Sequence, residues 1–299
     1  MMWRVNQSMG RAGWPRLALC AALLLCAGAC AASRPPDAAG PRSDEPPYPV
    51  LLMEDPARVE VALAAWTKLT QEQGITQATV PELQPVTATI RSLPALPGGS
   101  LRLPKVGLDP SMSEEEIRRS LKIFIENASQ LLGVEMQGQP PHLQRLSLVQ
   151  RTDGADGTEK ARYQQYPFRY PLRGGYGVLE ISFTPDQRIQ QISSTCITNV
   201  EGLQRALSGV SPVLTSAEEV ARHITGRTLS YTDATGSQQT YTVLAGDEIN
   251  ARELVIYTRL RTGAPSALEF HLAWEVSIAR APERAVYLDA VTGEIIAAT

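Results

Sequence analysis

Side chains able to do chemistry are few in this chain, and they are scattered. It has three histidines, His142, His223 and His271, no two of them close in sequence. No His-Glu-x-x-His pattern occurs, so the paired ligands of a thermolysin-type zinc helix are absent. Of four cysteines, Cys20, Cys26 and Cys30 crowd the N-terminus and only Cys196 lies deep in the chain. That excludes an internal disulfide framework and a cysteine-based zinc site. Cys196 ends an expected strand, with no base supplied by its neighbours, and reads as a small buried side chain. No Gly-x-Ser-x-Gly elbow is present. Gly174-Gly175-Tyr176-Gly177 precedes a strand, whereas a phosphate cradle opens a helix; it reads as a bulge or turn. Glu114-Glu115-Glu116 and Glu218-Glu219 suit helix starts, where negative charge opposes the helix dipole. Asp289 and Glu294 flank a hairpin turn, which turn formation or a surface contact with a partner explains. On these residues no catalytic residue, metal ligand or cofactor is expected.

What remains for function is recognition. Tyr163, Tyr166, Phe168, Tyr170 and Tyr176 cluster around the central strands, and Trp274 and Tyr287 lie on strands near the C-terminus. Aromatic side chains fill cores and are over-used at interfaces. An exposed sheet edge that captures a strand from another protein is the functional version. Tyr166, Phe168, Tyr170, Trp274, Asp289 and Glu294 are therefore the candidate partner-binding residues.

The elements that must position them follow an export segment. Arg4, Arg11 and Arg16 precede an apolar run from Leu17 to Ala29, then small residues through Ser33, the layout of a secretory signal. The run is shorter than the ~20 residues that span a bilayer. Ala27-Gly28-Ala29-Cys30 is similar to a bacterial lipobox, although Ala27 stands where Leu is usual. Lipidation of Cys30, as the only membrane attachment, and plain secretion both fit. The stretch through Pro49, rich in Pro, Ala and Asp, has too few large apolar residues to fold and reads as a disordered tether. The formal charge is −3, and removing the three arginines of the export segment leaves about −6. Phosphate backbones need clustered cations, so nucleic acid is not an expected partner.

Asp55-Pro56 opens a helix with Val59, Leu63, Trp66 and Leu69 or Thr70 on one face and Gly74 as its stop. Short strands are expected at 77–80 and 86–91. Ser113 and Glu116 form a capping box that starts a helix reaching Leu132, with Ile117, Leu121, Phe124, Ala128 and Leu132 inward and Gly133 ending it. Strands follow at 145–150, 161–165, 178–183 and 189–193. A linker around Gly202 to Pro212 leads to a second capped helix at Ser216, with Val220 and Ile224 inward. Further strands are expected at 239–244, 254–261, 268–279 and 285–289, closing on a turn with Gly293 at positive φ. This is an α+β arrangement, two successive helix-plus-antiparallel-sheet units. The expected divisions are a signal peptide at 1–30, a tether at 31–50, an N-terminal helix with short strands at 51–110, and units at 111–200 and 213–299.

The residues from Phe124 to Gly133, the strand block from Arg162 to Phe183 and its Gly174-Gly175 resemble the thermolysin and fungalysin propeptide domain. The segment from Ser216 onward resembles a PepSY domain, chiefly in Ala273-Trp274-Glu275-Val276 and Tyr287-Leu288-Asp289-Ala290-Val291-Thr292-Gly293-Glu294-Ile295-Ile296. Together the likeness covers about two thirds of the chain, from Ser111 to Thr299. It departs at Phe168-Arg169-Tyr170-Pro171-Leu172, where the family has a Gly-Val-Pro-Val-type stretch. The chain ends at Thr299, where the family's catalytic domain begins. The resemblance implies a non-catalytic protein that binds another exported protein, a zinc metalloprotease in the family's case, as inhibitor or folding helper. The rival expectation is a cell-envelope lipoprotein with a structural or assembly role and no protease partner.

Overall fold

The computed structural model describes residues 47–299, except 98, 108–111, 135–142, 149–156, 167–168, 233–234, 262, 264–265, 280 and 282–284. The expected export segment, the tether before Pro47, Cys30, His142 and Phe168 lie outside the described residues. The architecture is α+β. The described residues form five helices, a four-stranded antiparallel sheet, a six-stranded mixed sheet and two small two-stranded pairs.

The first helix, α1 (Pro56–Glu72), starts where expected. The Asp55 carboxylate accepts the Ala57 amide at 3.0 Å, and Gly74 takes φ +72°, the left-handed turn that ends many helices. The buried stripe is Ala62, Trp66, Leu69 and Thr70, with Val59 and Leu63 only half-buried beside it. No strand forms at 77–80. Thr79 instead takes the Trp66 indole N–H on its carbonyl at 3.0 Å and donates its hydroxyl to the Ala95 carbonyl at 2.8 Å. Those bonds fix an irregular segment in place of a ladder. The strand expected at 86–91 also shrinks. Ala88 has φ +55° and closes a tight turn on the Gln84 carbonyl. Only β2 (Glu82–Leu83) and β3 (Ile90–Ser92) pair.

Helix α2 (Glu114–Asn127) begins at the expected capping box: Glu116 accepts the Ser113 amide at 2.8 Å, and the Ser113 hydroxyl accepts the Glu116 amide. It does not run unbroken to Leu132. Ala128 leaves helical geometry, and a separate turn, α3 (Ser129–Leu132), ends at left-handed Gly133. The sheet β4 (Leu143–Leu148), β5 (Glu159–Gln165), β7 (Val178–Phe183) and β8 (Ile189–Ser194) packs against these helices in that order. Ala161, Tyr163, Leu179, Ile181 and Phe183 alternate inward, as a period of two requires. They share one core with Leu121, Phe124 and Leu132, and also with Trp66 and Leu69 of α1. The N-terminal helix therefore completes this core.

Where a linker is expected, the chain forms α4 (Val200–Ser208). Val200 and Leu203 are buried, Leu203 in one core with Val50, Leu52, Leu172 and Phe270, at helical spacing that Gly202 and Gly209 disguise. Helix α5 (Ala217–Ile224) has its expected capping box, with Val220 and Ile224 fully buried. The long pair β11 (Ile249–Arg261) and β12 (Ala267–Ile278) centres the six-stranded sheet. On the other edge of β12, two strands lie end to end. One is β13 (Val286–Asp289), opposite Ala273–Val276, and the other is β1 (Val50–Met53), opposite Ala267–Phe270. β14 (Ile295–Ala298) extends β13, and β6 (Leu172–Arg173) adds a short parallel contact to β11. The hairpin β9 (Thr228–Thr232) and β10 (Gln238–Thr242) stands apart. β1, β2, β6 and β9 are among the strands without a counterpart in the sequence-based expectation.

Candidate functional site

Along β12 the side chains alternate sharply. Leu268, Phe270, Leu272, Val276 and Ile278 are buried on one face. Glu269, His271 and Glu275 point to the other, and they are buried too. Burying such groups is costly unless each is paired. The pairing here is extensive. His271 Nδ1 lies 2.8 Å from Asp289 Oδ2 on β13, and Nε2 lies 3.4 Å from Glu269 Oε2. Arg259 Nε donates to Glu269 at 2.7 Å, and Arg261 is 3.7 Å from its other oxygen. The Tyr48 hydroxyl, at the entry to β1, is 2.9 Å from both Asp289 oxygens and accepts the Leu272 amide at 3.1 Å. Asp289 Oδ1 also accepts the Val291 and Thr292 amides at 2.8 and 2.9 Å.

The electrostatics follow from this wiring. Burial alone would raise the Asp289 carboxyl. Hydrogen bonds from His271, from the Thr292 and Val291 amides and from Tyr48 outweigh it and hold the group below the usual carboxylate range. Burial likewise opposes ionised Glu269, but Arg259 and His271 prevail and lower its pKa. Burial, then the nearby Asp289 charge, pushes the Tyr48 hydroxyl far up, so it stays protonated. Both nitrogens of His271 and both oxygens of Asp289 are thus engaged within the protein. The network binds the N-terminal strand to the C-terminal hairpin. Its sequence signal is Arg259-x-Arg261 facing Glu269-x-His271 at strand spacing, with Tyr48 supplied from far away.

The expected partner-binding residues are dispersed. Tyr166 is 51% exposed. Tyr170 is half-buried against the core around Leu172, with the Arg169 guanidinium 5.3 Å from its ring centre. Trp274 packs with the core around Val220 and donates its indole N–H to the Leu214 carbonyl at 2.9 Å, so it serves packing. Asp289 is only 1% exposed, and the expected surface contact through it is corrected: the turn draws its carboxylate inward to cap the Val291 and Thr292 amides. Glu294 is exposed on the same turn. Cys196 is fully buried, and burial pushes its thiol up to about 12, which keeps it un-ionised. His223 Nε2 lies 2.9 Å from the Gly293 carbonyl and 2.7 Å from Arg227, holding the same turn.

Two of the open depressions among the described residues are larger than the rest described and lie elsewhere. One, of about 500 Å³, runs where β6 meets β11 and is lined by Arg173, Tyr176, Tyr257 and Tyr287. The Tyr257 and Tyr287 rings pack 4.4 Å apart between centres, tilted by 37°. Arg173 is committed to Glu275 at 2.7 Å and Glu253 at 2.9 Å. The other, of about 660 Å³, opens between the starts of α1 and α4. Its walls are Val61 and Arg58 of α1, Gln130 of α3, Val134, and Asn199 and Glu201 at the start of α4. Its floor includes Ala88 and Gly133. Two of the three non-glycine residues described with positive φ, Ala88 and Asn199, line this cleft. Left-handed backbone costs about 1–2 kcal/mol at a residue such as Ala. Such strain is held only where the surroundings impose it, and it gathers at functional sites.

Polar groups in this cleft are not used up. Arg58 donates to the Met53 carbonyl and, at 3.3 Å, to the Thr198 hydroxyl. Its Nε is buried with no hydrogen-bond partner, although Asp55 stands 3.8 Å away. Asn199 occupies the N-cap position of α4 without making a side-chain cap. A cleft of this size with a few convergent polar groups is the usual form of a binding site.

No family model and no curated protein matches this chain. Among the described residues, no group of three or more His, Cys, Asp or Glu side chains is arranged to hold a metal ion. No described helix is long and apolar enough to cross a membrane.

Proposed function

We propose that this chain is a non-catalytic, exported, propeptide-like protein that binds another exported protein. A thermolysin-type zinc metalloprotease is the first partner to test, inhibited by the chain or assisted by it in folding. The observation that carries the binding reading is the 660 Å³ cleft with its unpaired polar groups, set against a His–Asp–Glu–Tyr cluster whose groups are bonded to one another. The propeptide-like part is supported by the sequence likeness from Phe124 to Phe183 and from Ala273 to Ile296. A capped helix packed on a four-stranded antiparallel sheet, and a second capped helix beside a larger sheet, agree with two such units in succession. The chain after Cys30, mixed with a thermolysin-type protease, is expected to bind or inhibit it at micromolar concentration. Neither binding nor inhibition there would overturn the protease reading.

A second reading rests on Ala27-Gly28-Ala29-Cys30: a lipid-anchored envelope protein with a structural or assembly role and no protease partner. Mass spectrometry of the mature N-terminus tests the anchor. A diacylglyceryl-modified Cys30 supports it, and an unmodified start at Ala31 or Ser33 removes it.

A further inference from the structure

We infer that the cleft between the starts of α1 and α4 takes an extended peptide segment carrying a basic side chain. The inference rests on the binding-protein reading above and names the ligand class of its site. Size comes first: about 660 Å³ lies within the roughly 300–1,000 Å³ range of ligand clefts. Hydrogen-bond chemistry comes second. Every peptide unit offers one donor and one acceptor. The carboxamides of Gln130 and Asn199 offer the matching pair, and neither has a hydrogen-bond partner among the described residues.

Charge settles the side chain. The Arg58 guanidinium is already directed at the Met53 carbonyl and the Thr198 hydroxyl, and Asp55 at 3.8 Å offsets it. Glu201 is exposed on the rim and makes no ion pair among the described residues. Among the formally charged side chains described at the cleft, Glu201 is therefore the one without a counter-ion, which favours Lys or Arg over Asp or Glu. Val61, 47% exposed, and buried Val134 provide the apolar wall for the stem of such a side chain. The floor is fixed. A Cβ on Gly133 would come within 2.4 Å of the Thr89 methyl and 3.2 Å of the Cys196 carbonyl.

The test titrates the blocked pentapeptide acetyl-Ala-Ala-Lys-Ala-Ala-amide, and its Glu counterpart, into the ¹⁵N-labelled chain after Cys30. The side-chain amide signals of Gln130 and Asn199 should shift saturably with the Lys peptide, with a Kd near or below about 1 mM. The Glu peptide should bind about fivefold more weakly or worse, as an exposed charge pair allows. Glu201→Lys should reverse that order, and Val61→Trp, which fills the cleft from an exposed position, should abolish the shifts. No shift at about 10 mM peptide overturns the inference; so does equal binding of both peptides, or binding untouched by Val61→Trp. No protease enters this assay. Peptide binding without protease inhibition therefore removes the metalloprotease partner and keeps the cleft, and inhibition without peptide binding does the reverse.

Discussion

Two regions of this molecule collect polar side chains, and they do so in opposite ways. On β12 and β13, Glu269, His271 and Asp289 are buried and bonded to one another, to Tyr48 and to Arg259. In the cleft at α1 and α4, the exposed Asn199 side chain makes no cap bond, and Arg58 Nε is buried without a hydrogen-bond partner. Saturated polar groups give specificity of fold, and unsaturated ones are available to a ligand. The histidine and its carboxylates hold two distant strands together, and the proposed recognition is assigned to the cleft instead.

That contrast predicts which changes damage the fold. Asp289→Ala leaves His271, Tyr48 and two turn amides without their acceptor. Breaking a buried pair on one side costs about 3–5 kcal/mol, and urea denaturation should show a loss of that order. A loss below about 1 kcal/mol would mean the network is not structural. Gly133→Ala should follow, at about 2 kcal/mol, because φ is +69° and the added methyl meets Thr89 and the Cys196 carbonyl. Tyr48→Phe removes the hydroxyl that accepts the Leu272 amide and should cost about 1–2 kcal/mol. Val61→Trp sits at the other end of the scale. At an exposed site it should change stability by no more than about 0.5 kcal/mol, yet it should eliminate peptide binding.

The pH dependence separates the regions as well. Asp289 and Glu269 have folded pKa values below their ordinary ones. Their stabilisation is therefore fully present above the unfolded values near ~4 and is lost as pH falls through the lower, folded values. Chemical denaturation followed below about pH 4 should show stability falling, and Asp289→Asn should flatten that fall. An unchanged slope would remove Asp289 from the account.

Much of the fold was legible because local chemistry announced it. Ser113 with Glu116 and Ser216 with Glu219 mark two helix starts, and the alternation of Leu179, Ile181 and Phe183 marks a buried strand face. Asn127 to Ser129 shows a limit: the period continues through Ala128 while the backbone does not, because core packing rather than spacing decides that turn. α4 was hidden by two glycines and β1 by its four-residue length, and both exist through long-range contacts with Leu172 and Phe270. The polar network was illegible for the same reason. Tyr48 and Asp289 lie 241 residues apart, and only the β1–β12–β13 pairing joins them. The cleft likewise depends on four segments distant in sequence, with Ala88 and Gly133 marking it only once their backbone angles are known.

The most direct test of the binding account is a titration of a thermolysin-type protease with the chain after Cys30, alongside its Val61→Trp variant. The account predicts saturable inhibition by the unmodified chain at micromolar concentration and inhibition at least about tenfold weaker by the variant, a difference of ~1.4 kcal/mol. Absence of inhibition and of binding by the unmodified chain, or equal inhibition by both, would contradict it.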